Sequence, residues 1–489
     1  MLFNSYEYIF VFLPISFFIY FFLLKKRFSI GAKAFLVFSS LFFYSWWNIA
    51  YLPIILSSML FNYTLGNALN EKFNKIRFHK KSLLFFGIFA NIALLAYFKY
   101  SDFFIENVNY IFDTSIPLLH LALPLAISFF TFQQIAYLVD SYRGETFEYD
   151  FLNYSLFVTF FPQLIAGPIV HHAEMMPQFS SRWNLVKNYN NIAMGIFLFA
   201  IGLFKKIAIA DSFAMWVSAG FDHETTLNFL EAWATSLSYT FQLYFDFSGY
   251  TDMAIGAALL FNIRLPINFN SPYKALDIQD FWRRWHITLS RFLKDYIYIP
   301  LGGNRKGSVR TYTNLLITFL LGGIWHGAGW TFVFWGFLHG IALVIHRLWK
   351  TVGLTMPIVI AWFITFNFIN IAWVFFRAKK WDDAIKVLSG MFDFTNIGLF
   401  KHSEKFLGIS STLKQTFSLH GSHYTIAGMD ILSHILVSFF IILALKNSMV
   451  YLKKYQFQWY HAAFVAITIL IFYFKSLEST ESVFLYFNF

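Results

Sequence analysis

Apolar runs long enough to cross a membrane recur along the whole chain, and short polar or basic segments separate them. A helix needs about 20 mostly apolar residues to cross a hydrocarbon layer ~30 Å thick. The pattern therefore predicts an all-α polytopic membrane protein. The clearest predicted spans lie near residues 7–24, 33–48, 51–68, 82–98, 117–139, 311–326, 330–346, 357–376, 429–446 and 457–474. Residues 102–116, between two of them, are predicted to form an external loop.

The middle of the chain is less regular. Apolar pieces cover residues 152–170, 191–219 and 229–262. Lys205 and Lys206 interrupt the second piece, and Asp246, Gly249 and Asp252 interrupt the third. Irregular backbone at membrane depth must be shielded from lipid. We therefore expect short, tilted or re-entrant helices here, lining a cavity.

The composition agrees with a membrane protein and excludes a soluble globule. Hydrophobic residues make up 58% of the 489 residues and charged residues only 13%, whereas soluble domains carry about 25% charged residues. Cysteine is absent, which excludes disulfides, thiolate zinc sites and cysteine acyl-intermediates.

The net charge of +11 is explained better by membrane topology than by nucleic-acid binding, because Lys and Arg concentrate in cytoplasmic loops. The basic loops Lys25–Lys33 and Lys72–Lys81 alternate with the first four spans. This alternation predicts an extracytoplasmic N-terminus. Counting outward from a cytoplasmic 302–310 predicts an extracytoplasmic loop at 377–428 and an extracytoplasmic C-terminus.

The segment from Phe281 to Gly340 carries the strongest chemical signals and is predicted to be the catalytic core of a single domain spanning residues 1–489. Residues 263–310 hold nine Lys or Arg against three Asp, a net charge of +6. Such a cluster could bind the phosphates of a nucleotide-bearing donor, because Arg forks match phosphate oxygens. It could equally bind anionic lipid head groups or only set the topology. The candidate phosphate-binding residues are Arg283, Arg284, Arg291, Lys294, Arg305 and Lys306.

His326 is the main catalytic candidate. A helix that starts near Thr311 carries His326 roughly 22 Å inward, beyond the middle of the hydrocarbon layer. Ionisable groups at that depth are costly and usually functional. A neutral imidazole is a suitable general base near pH 7. The alternative is a structural histidine bonded to a neighbouring helix.

Other polar residues are weaker candidates. His286 follows Arg284 and Trp285, and could be either functional or an amphipathic residue at the interface. Asp246 and Asp252 could orient a histidine, but a structural salt bridge is favoured. The sequence His171-His172-Ala-Glu174 lacks the HExxH spacing, so no metal site is predicted.

Taken together, these segments resemble the membrane-bound O-acyltransferase family, in particular its branch of bacterial alginate and peptidoglycan O-acetylation proteins. Matching blocks run almost from end to end of the chain. They are ISFFTFQQIAYLVDSYRG (Ile127–Gly144), FFPQLIAGPIV (Phe160–Val170), YFDFSGYTDMAIG (Tyr244–Gly256), INFNSPY (Ile267–Tyr273), FWRRWHITLSRFLKDYIYIPLGGNR (Phe281–Arg305), GGIWHGAGWTFVFWGFLHG (Gly322–Gly340), WVFFRA (Trp373–Ala378) and FLYFNF (Phe484–Phe489).

The resemblance implies a bundle of about 11–13 spanning or re-entrant helices around a central cavity, in a bacterial inner membrane. It implies that His326 of the WHG motif is catalytic, that His286 is a second active-site residue, and that Trp325 supports them. Acetyl-CoA would be the cytoplasmic donor substrate, and no cofactor would be bound permanently.

The resemblance also implies an extracytoplasmic polysaccharide acceptor, reached through a periplasmic O-acetyltransferase or esterase partner. Peptidoglycan is the favoured acceptor, and alginate or another exopolysaccharide is the alternative. From another class of function, a transporter or flippase would also have many spans, buried charges and broken helices.

Overall fold

The computed structural model describes residues 1–70, 79–146, 150–165, 167–397, 423–452, 455–477 and 485, with the side chains of 423–429 excepted. Within these residues the chain is helical and contains no strand. The first ten α-helices are α1 (Leu13–Lys25), α2 (Ser29–Ser45), α3 (Leu52–Leu69), α4 (Lys80–Lys99), α5 (Ser101–Phe112), α6 (Ile127–Arg143), α7 (Phe151–Thr159), α8 (Phe161–Leu164), α9 (His172–Ser180) and α10 (Tyr189–Phe204). The others are α11 (Asp211–Ser218), α12 (Phe229–Leu260), α13 (Ile278–Arg284), α14 (Ile287–Leu293), α15 (Ser308–His326), α16 (Trp330–Val352), α17 (Ile358–Arg377), α18 (Trp381–Met391), α19 (His423–Ala444) and α20 (Trp459–Leu477).

Short turns of other helix types extend or connect these elements. The π-helical turns are Glu7–Phe12, Lys205–Ala210, Ala219–His223 and Lys294–Tyr298, and the 3-10 turns are Ile49–Tyr51, Arg182–Leu185, Pro272–Lys274 and Ser448–Val450.

Eight helical segments among the described residues are long and apolar enough to span a membrane. They are Glu7–Lys25, Ile49–Leu69, Lys80–Lys99, Tyr189–His223, Trp330–Val352, Ile358–Arg377, Asp430–Val450 and Trp459–Leu477. The predicted spans near 33–48 and 311–326 correspond to the helices α2 and α15. The predicted span 117–139 is right only in its second part, because α6 begins at Ile127 and residues 117–126 are not helical. The prediction of a polytopic helical bundle is therefore confirmed.

The helix α12 lies at the centre of the bundle. It packs against α10, α11, α17, α18 and α19, and almost all of its 32 residues are buried. The expected interruption at Asp246, Gly249 and Asp252 is wrong, because α12 runs unbroken through all three. The irregular backbone is found instead on the neighbouring helix, because α10 continues into the π-helical turn Lys205–Ala210.

Two buried ion pairs explain why α12 tolerates its carboxylates. Lys205 Nζ lies 2.7 Å from an oxygen of Asp252, and Lys206 Nζ lies 2.7 Å from Asp246. A second carboxylate, Asp211, lies 2.8 Å from Lys206. A carboxylate that is paired in this way does not have to break the helix to reach water. The favoured interpretation of Asp246 and Asp252 as structural salt bridges agrees with this geometry.

The remaining irregular segments follow the prediction in part. Residues 152–170 form the short helices α7 and α8, and residues 278–298 form α13, α14 and a π-helical turn. The predicted external loop at 102–116 is largely wrong, because Ser101–Phe112 is the helix α5. The predicted loop at 377–428 contains the helix α18, packed on α12 and α17, and its residues 398–422 lie outside the described part of the chain.

The helices α10 and α12 approach each other closely at Gly202 and Gly249, and the importance of this contact can be tested by mutation. A Cβ atom at Gly202 would lie 2.4 Å from the carbonyl oxygen of Gly249 on the facing helix. We expect Gly202→Ala to push the helices apart and to lower the free energy of unfolding by about 1–3 kcal/mol, as overpacking does. At Gly329 a Cβ atom would meet its nearest neighbour at 3.6 Å, so Gly329→Ala serves as the control. Thermal unfolding in detergent measures both, and equal stabilities would contradict this account.

Candidate active site

A cavity of 980 Å³ lies between α13, α14, α15 and α16 and reaches His326. One face of α15 forms a wall of it, with Leu315, Phe319, Gly322 and His326 three to four residues apart. The rest of the lining comes from α13, α14, the segment 294–306 and α16. The cavity thus connects the last residue of α15 with the loop that precedes that helix.

His326 is almost completely enclosed by aromatic rings. Its side chain is 4% exposed. Its ring centroid lies 4.7 Å from that of Trp325, 5.1 Å from Trp335 and 5.0 Å from Phe376. These contacts hold the imidazole in place while it still lines the cavity.

The sequence around His326 explains its position. The helix α15 ends at His326, Gly327 has extended backbone, and α16 begins at Trp330. The two helices touch through their backbones, because a Cβ atom at Gly323 would lie 2.4 Å from the carbonyl oxygen of Phe332. This tight helical hairpin places His326 at its turn.

The end of α4 caps the carbonyl end of α15. Lys99 Nζ donates hydrogen bonds to the carbonyl oxygens of Trp325 at 2.7 Å and His326 at 3.0 Å. The hydroxyl of Tyr100 donates to the carbonyl of Ile324 at 2.7 Å. The last carbonyls of a helix have no partner within the helix and carry its negative end. A cation at this point therefore stabilises the turn that holds His326. Lys99 was not among the residues singled out from the sequence, since nothing local connects position 99 with position 326.

His286 lies near His326, and the rings of both residues are close to that of Trp325. Its ring centroid is 6.4 Å from that of Trp325 and 4.8 Å from that of Phe247. Its Nδ1 atom lies 3.1 Å from Oδ1 of Asn268. His286 is fully buried and does not line the 980 Å³ cavity. Its backbone φ of +42° is uncommon outside glycine and is often found at functional sites.

The predicted basic cluster separates into two groups. Arg283, Lys294, Arg305 and Lys306 line the cavity. Arg284 instead bonds Asp280 at 2.9 Å, and Arg291 bonds both carboxylate oxygens of Glu174. The spacing along the sequence could not distinguish these two groups, because the partner of Arg291 comes from α9.

Two further basic residues of the cavity, Arg347 and Lys350, were not predicted as site residues. They follow the predicted end of a span, where basic residues usually report topology alone. Their signal was the helical spacing from Trp335 through Leu343 to Arg347, which puts them on the same face of α16. His346 also lines the cavity, and its Nε2 lies 3.5 Å from a carboxylate oxygen of Asp277.

The remaining polar candidates have structural contacts. Asp246 and Asp252 pair with lysines, as described above. Glu174 is bonded to Arg291, and Nδ1 of His171 lies 3.1 Å from the hydroxyl of Tyr296. His339 accepts a hydrogen bond from Nε1 of Trp282 at 3.2 Å.

Comparison with known proteins places this cavity in a family. The family model of the membrane-bound O-acyltransferases matches residues 146–379, which include every residue that lines the cavity. The chain is 49% identical to the peptidoglycan O-acetyltransferase of Helicobacter pylori, over 100% of this chain and 98% of that protein. This chain belongs to the membrane-bound O-acyltransferase family.

Other relatives of this membrane-bound O-acyltransferase are named for different activities. It is 38% identical to the probable alginate O-acetylase of Pseudomonas aeruginosa, over 81% of this chain and 75% of that protein. It is 26% identical to the teichoic acid D-alanyltransferase of Bacillus subtilis, over 52% of this chain and 69% of that protein. The family assignment favours an acyltransferase over the alternative of a transporter or flippase.

The cap formed by Lys99 can be tested through stability. Lys99→Met leaves the carbonyl oxygens of Trp325 and His326 without this donor, and we expect the free energy of unfolding to fall by about 1.5–3 kcal/mol, as for other bonds to charged groups. The control is Lys26→Met, because Lys26 is exposed at the end of α1. Chemical unfolding in detergent measures both variants. If they are equally stable, the cap does not support the turn.

Proposed function

We propose that this chain is an O-acetyltransferase of the bacterial inner membrane that takes acetyl groups from cytoplasmic acetyl-CoA and passes them across the membrane for peptidoglycan O-acetylation. One observation carries the proposal: a single cavity is lined both by His326 and by six basic side chains. These are Arg283, Lys294, Arg305, Lys306, Arg347 and Lys350.

The chemistry of the donor matches the two parts of this cavity. Acetyl-CoA carries phosphates at one end and a thioester at the other end of a long, flexible arm. Arg305 and Lys306 lie in the loop before α15, whereas His326 is the last residue of that helix. Phosphates held at the basic end would let the arm extend along α15 toward the imidazole. The carboxylates of Asp280 and Asp277 lie close to this basic end, and the basic residues exceed them in number.

The reaction follows from the position of His326. Its imidazole takes the proton of an acceptor hydroxyl, and the hydroxyl oxygen attacks the thioester carbonyl carbon. The C–O bond forms, the C–S bond breaks, and the proton passes from the imidazolium to the leaving CoA thiolate. His286, beside Trp325, is the second active-site residue. An acetyl-histidine intermediate is the less favoured route.

The activities for which the relatives are named support the choice of acceptor. The relative that matches across the whole chain is called a peptidoglycan O-acetyltransferase, and the proteins called probable alginate O-acetylases match at lower identity over 81% of the chain. Alginate is therefore the second candidate. Since wall polysaccharides lie outside the membrane, the acceptor approaches from the extracytoplasmic face, and a periplasmic transferase or esterase is the expected partner. The distribution of Lys and Arg supports an extracytoplasmic position for both termini.

The catalytic role of His326 is tested by His326→Ala. We expect the rate of acetyl transfer from acetyl-CoA, measured with purified protein in vesicles, to fall about 100-fold or more, because general-base catalysis contributes that much. His120→Ala is the control, since the side chain of His120 is 79% exposed. Retained transfer in a folded His326→Ala protein would exclude His326 as the base. Solute movement without CoA release would instead indicate a transporter.

The donor site is tested by two adjacent arginines on α13. Arg283 lines the cavity, and Arg284 is bonded to Asp280. We expect Arg283→Gln to raise the KM for acetyl-CoA about ten-fold with little change in kcat, because one charge-assisted phosphate contact is lost. The matched variant Arg284→Gln should leave the KM nearly unchanged. Equal effects of the two variants would contradict a phosphate site inside the cavity.

A further inference from the structure

A second cavity, of 560 Å³, lies among α10, α12, α19 and α20 and shares no lining residue with the catalytic cavity. Its walls are mostly apolar, and one part of its lining is polar and basic. The proposed acetyl transfer uses no residue of this cavity. Its lining therefore needs an explanation of its own.

The polar part is built from the segment that follows α19. Lys446, Asn447 and Ser448 line the cavity. Lys446 is exposed and has no acidic partner in the described part of the chain. Lys274 adds a second cation nearby, because its Nζ donates to the carbonyl of Leu445 at 3.0 Å.

The polar part of the cavity lining carries a net positive charge, even though one of its lysines, Lys205, is paired with a carboxylate. Lys205 also lines the cavity, and it donates to Ser448 at 3.4 Å. Asp252 offsets the charge of Lys205 at 2.7 Å. No acidic residue is among the described residues of the lining. Lys446 and Lys274 therefore leave a net positive rim, which favours an anionic group.

His461 belongs to the aromatic wall beside this polar part. The residue is 3% exposed and lines the cavity. Its ring centroid lies 4.3 Å from that of Phe197, 4.5 Å from Tyr460 and 5.2 Å from Tyr455. Its Nδ1 accepts a hydrogen bond from the backbone N–H of Gln458 at 3.2 Å, and its Nε2 is buried. The attraction for an anion therefore comes from the two lysines of the rim.

The apolar walls require a hydrocarbon chain in the same ligand. Phe197 and Phe204 of α10 pack directly on Phe464 of α20, with ring centroids 5.9 Å and 5.6 Å apart, and together they form one wall. Ile441, Ile442 and Leu445 at the end of α19 form another wall. All three helices belong to candidate membrane spans. Tyr460, at the start of α20, also lines the cavity and is exposed, as is usual for tyrosine at the level of the lipid head groups. A small free anion would leave these walls without contacts.

We propose that this cavity binds one anionic phospholipid, with its phosphate near Lys446 and Ser448 and an acyl chain between α19 and the wall formed by α10 and α20. The lipid fills the space between the last two spans and the helix that carries Lys205. It is a bound component of the fold, separate from the acetyl donor.

The test uses the purified full chain, native mass spectrometry and two lipids with identical acyl chains, phosphatidylglycerol and phosphatidylcholine. We expect one phosphatidylglycerol to remain bound under conditions that remove phosphatidylcholine, and to remain in excess inorganic phosphate. Lys446→Gln should weaken its binding about five-fold, the usual effect of one lysine at an anionic lipid surface. Lys274→Gln, which removes the second cation of the rim, should also weaken binding.

Lys475→Gln is the matched control, because Lys475 is exposed at the opposite end of α20. It should leave lipid binding unchanged. Equal retention of both lipids, displacement by phosphate, or unchanged binding in both Lys446→Gln and Lys274→Gln would overturn the proposal. Acetyl transfer by each variant shows that it is folded, so failure of one variant to fold leaves the other to decide.

Discussion

The structure depends on how charged groups are held away from water. Hydrocarbon offers them no hydrogen bonds, so an ionic group buried in the bundle needs a partner supplied by the protein. Lys206 meets Asp246 and Asp211, Lys205 meets Asp252, and Lys99 meets the carbonyl end of α15. The pairs on α12 keep the central helix intact, and the Lys99 cap holds the turn at His326. The same constraint therefore shapes both the fold and the site.

The helix α15 connects the basic part of the cavity with the imidazole of His326. The helix starts just after Arg305 and Lys306 and ends at His326. With 19 residues at about 1.5 Å each, it is about 28 Å long. A donor that binds by its phosphates at one end must therefore reach along much of the helix to react at the other. In the proposed function, donor binding and chemistry are therefore separable, since the charged residues attract the donor and the enclosed ring acts only on its far end.

Much of the fold and part of the site could be predicted from the sequence, and the errors have physical causes. His326 was predicted from one polar residue among apolar and glycine neighbours, and the structure places it on the cavity. Arg284 and Arg291 were grouped with the cavity residues, but both are bonded to carboxylates, one of which comes from α9. The predicted break in α12 was wrong because the lysines that neutralise its carboxylates lie on another helix. Lys99 was missed for the same reason, since its partners are 226 and 227 residues away.

The sequence by itself determined that this is a helical membrane protein, where most of its spans lie, and that a histidine is buried beside a strongly basic segment. These properties follow from hydropathy and helical periodicity, which are local. Only the tertiary structure decided which basic side chains face the cavity, which carboxylates are neutralised, and how Lys99 comes to cap the turn that holds His326. Those contacts join residues that are far apart in the chain, and local sequence pattern carries no information about which distant groups meet.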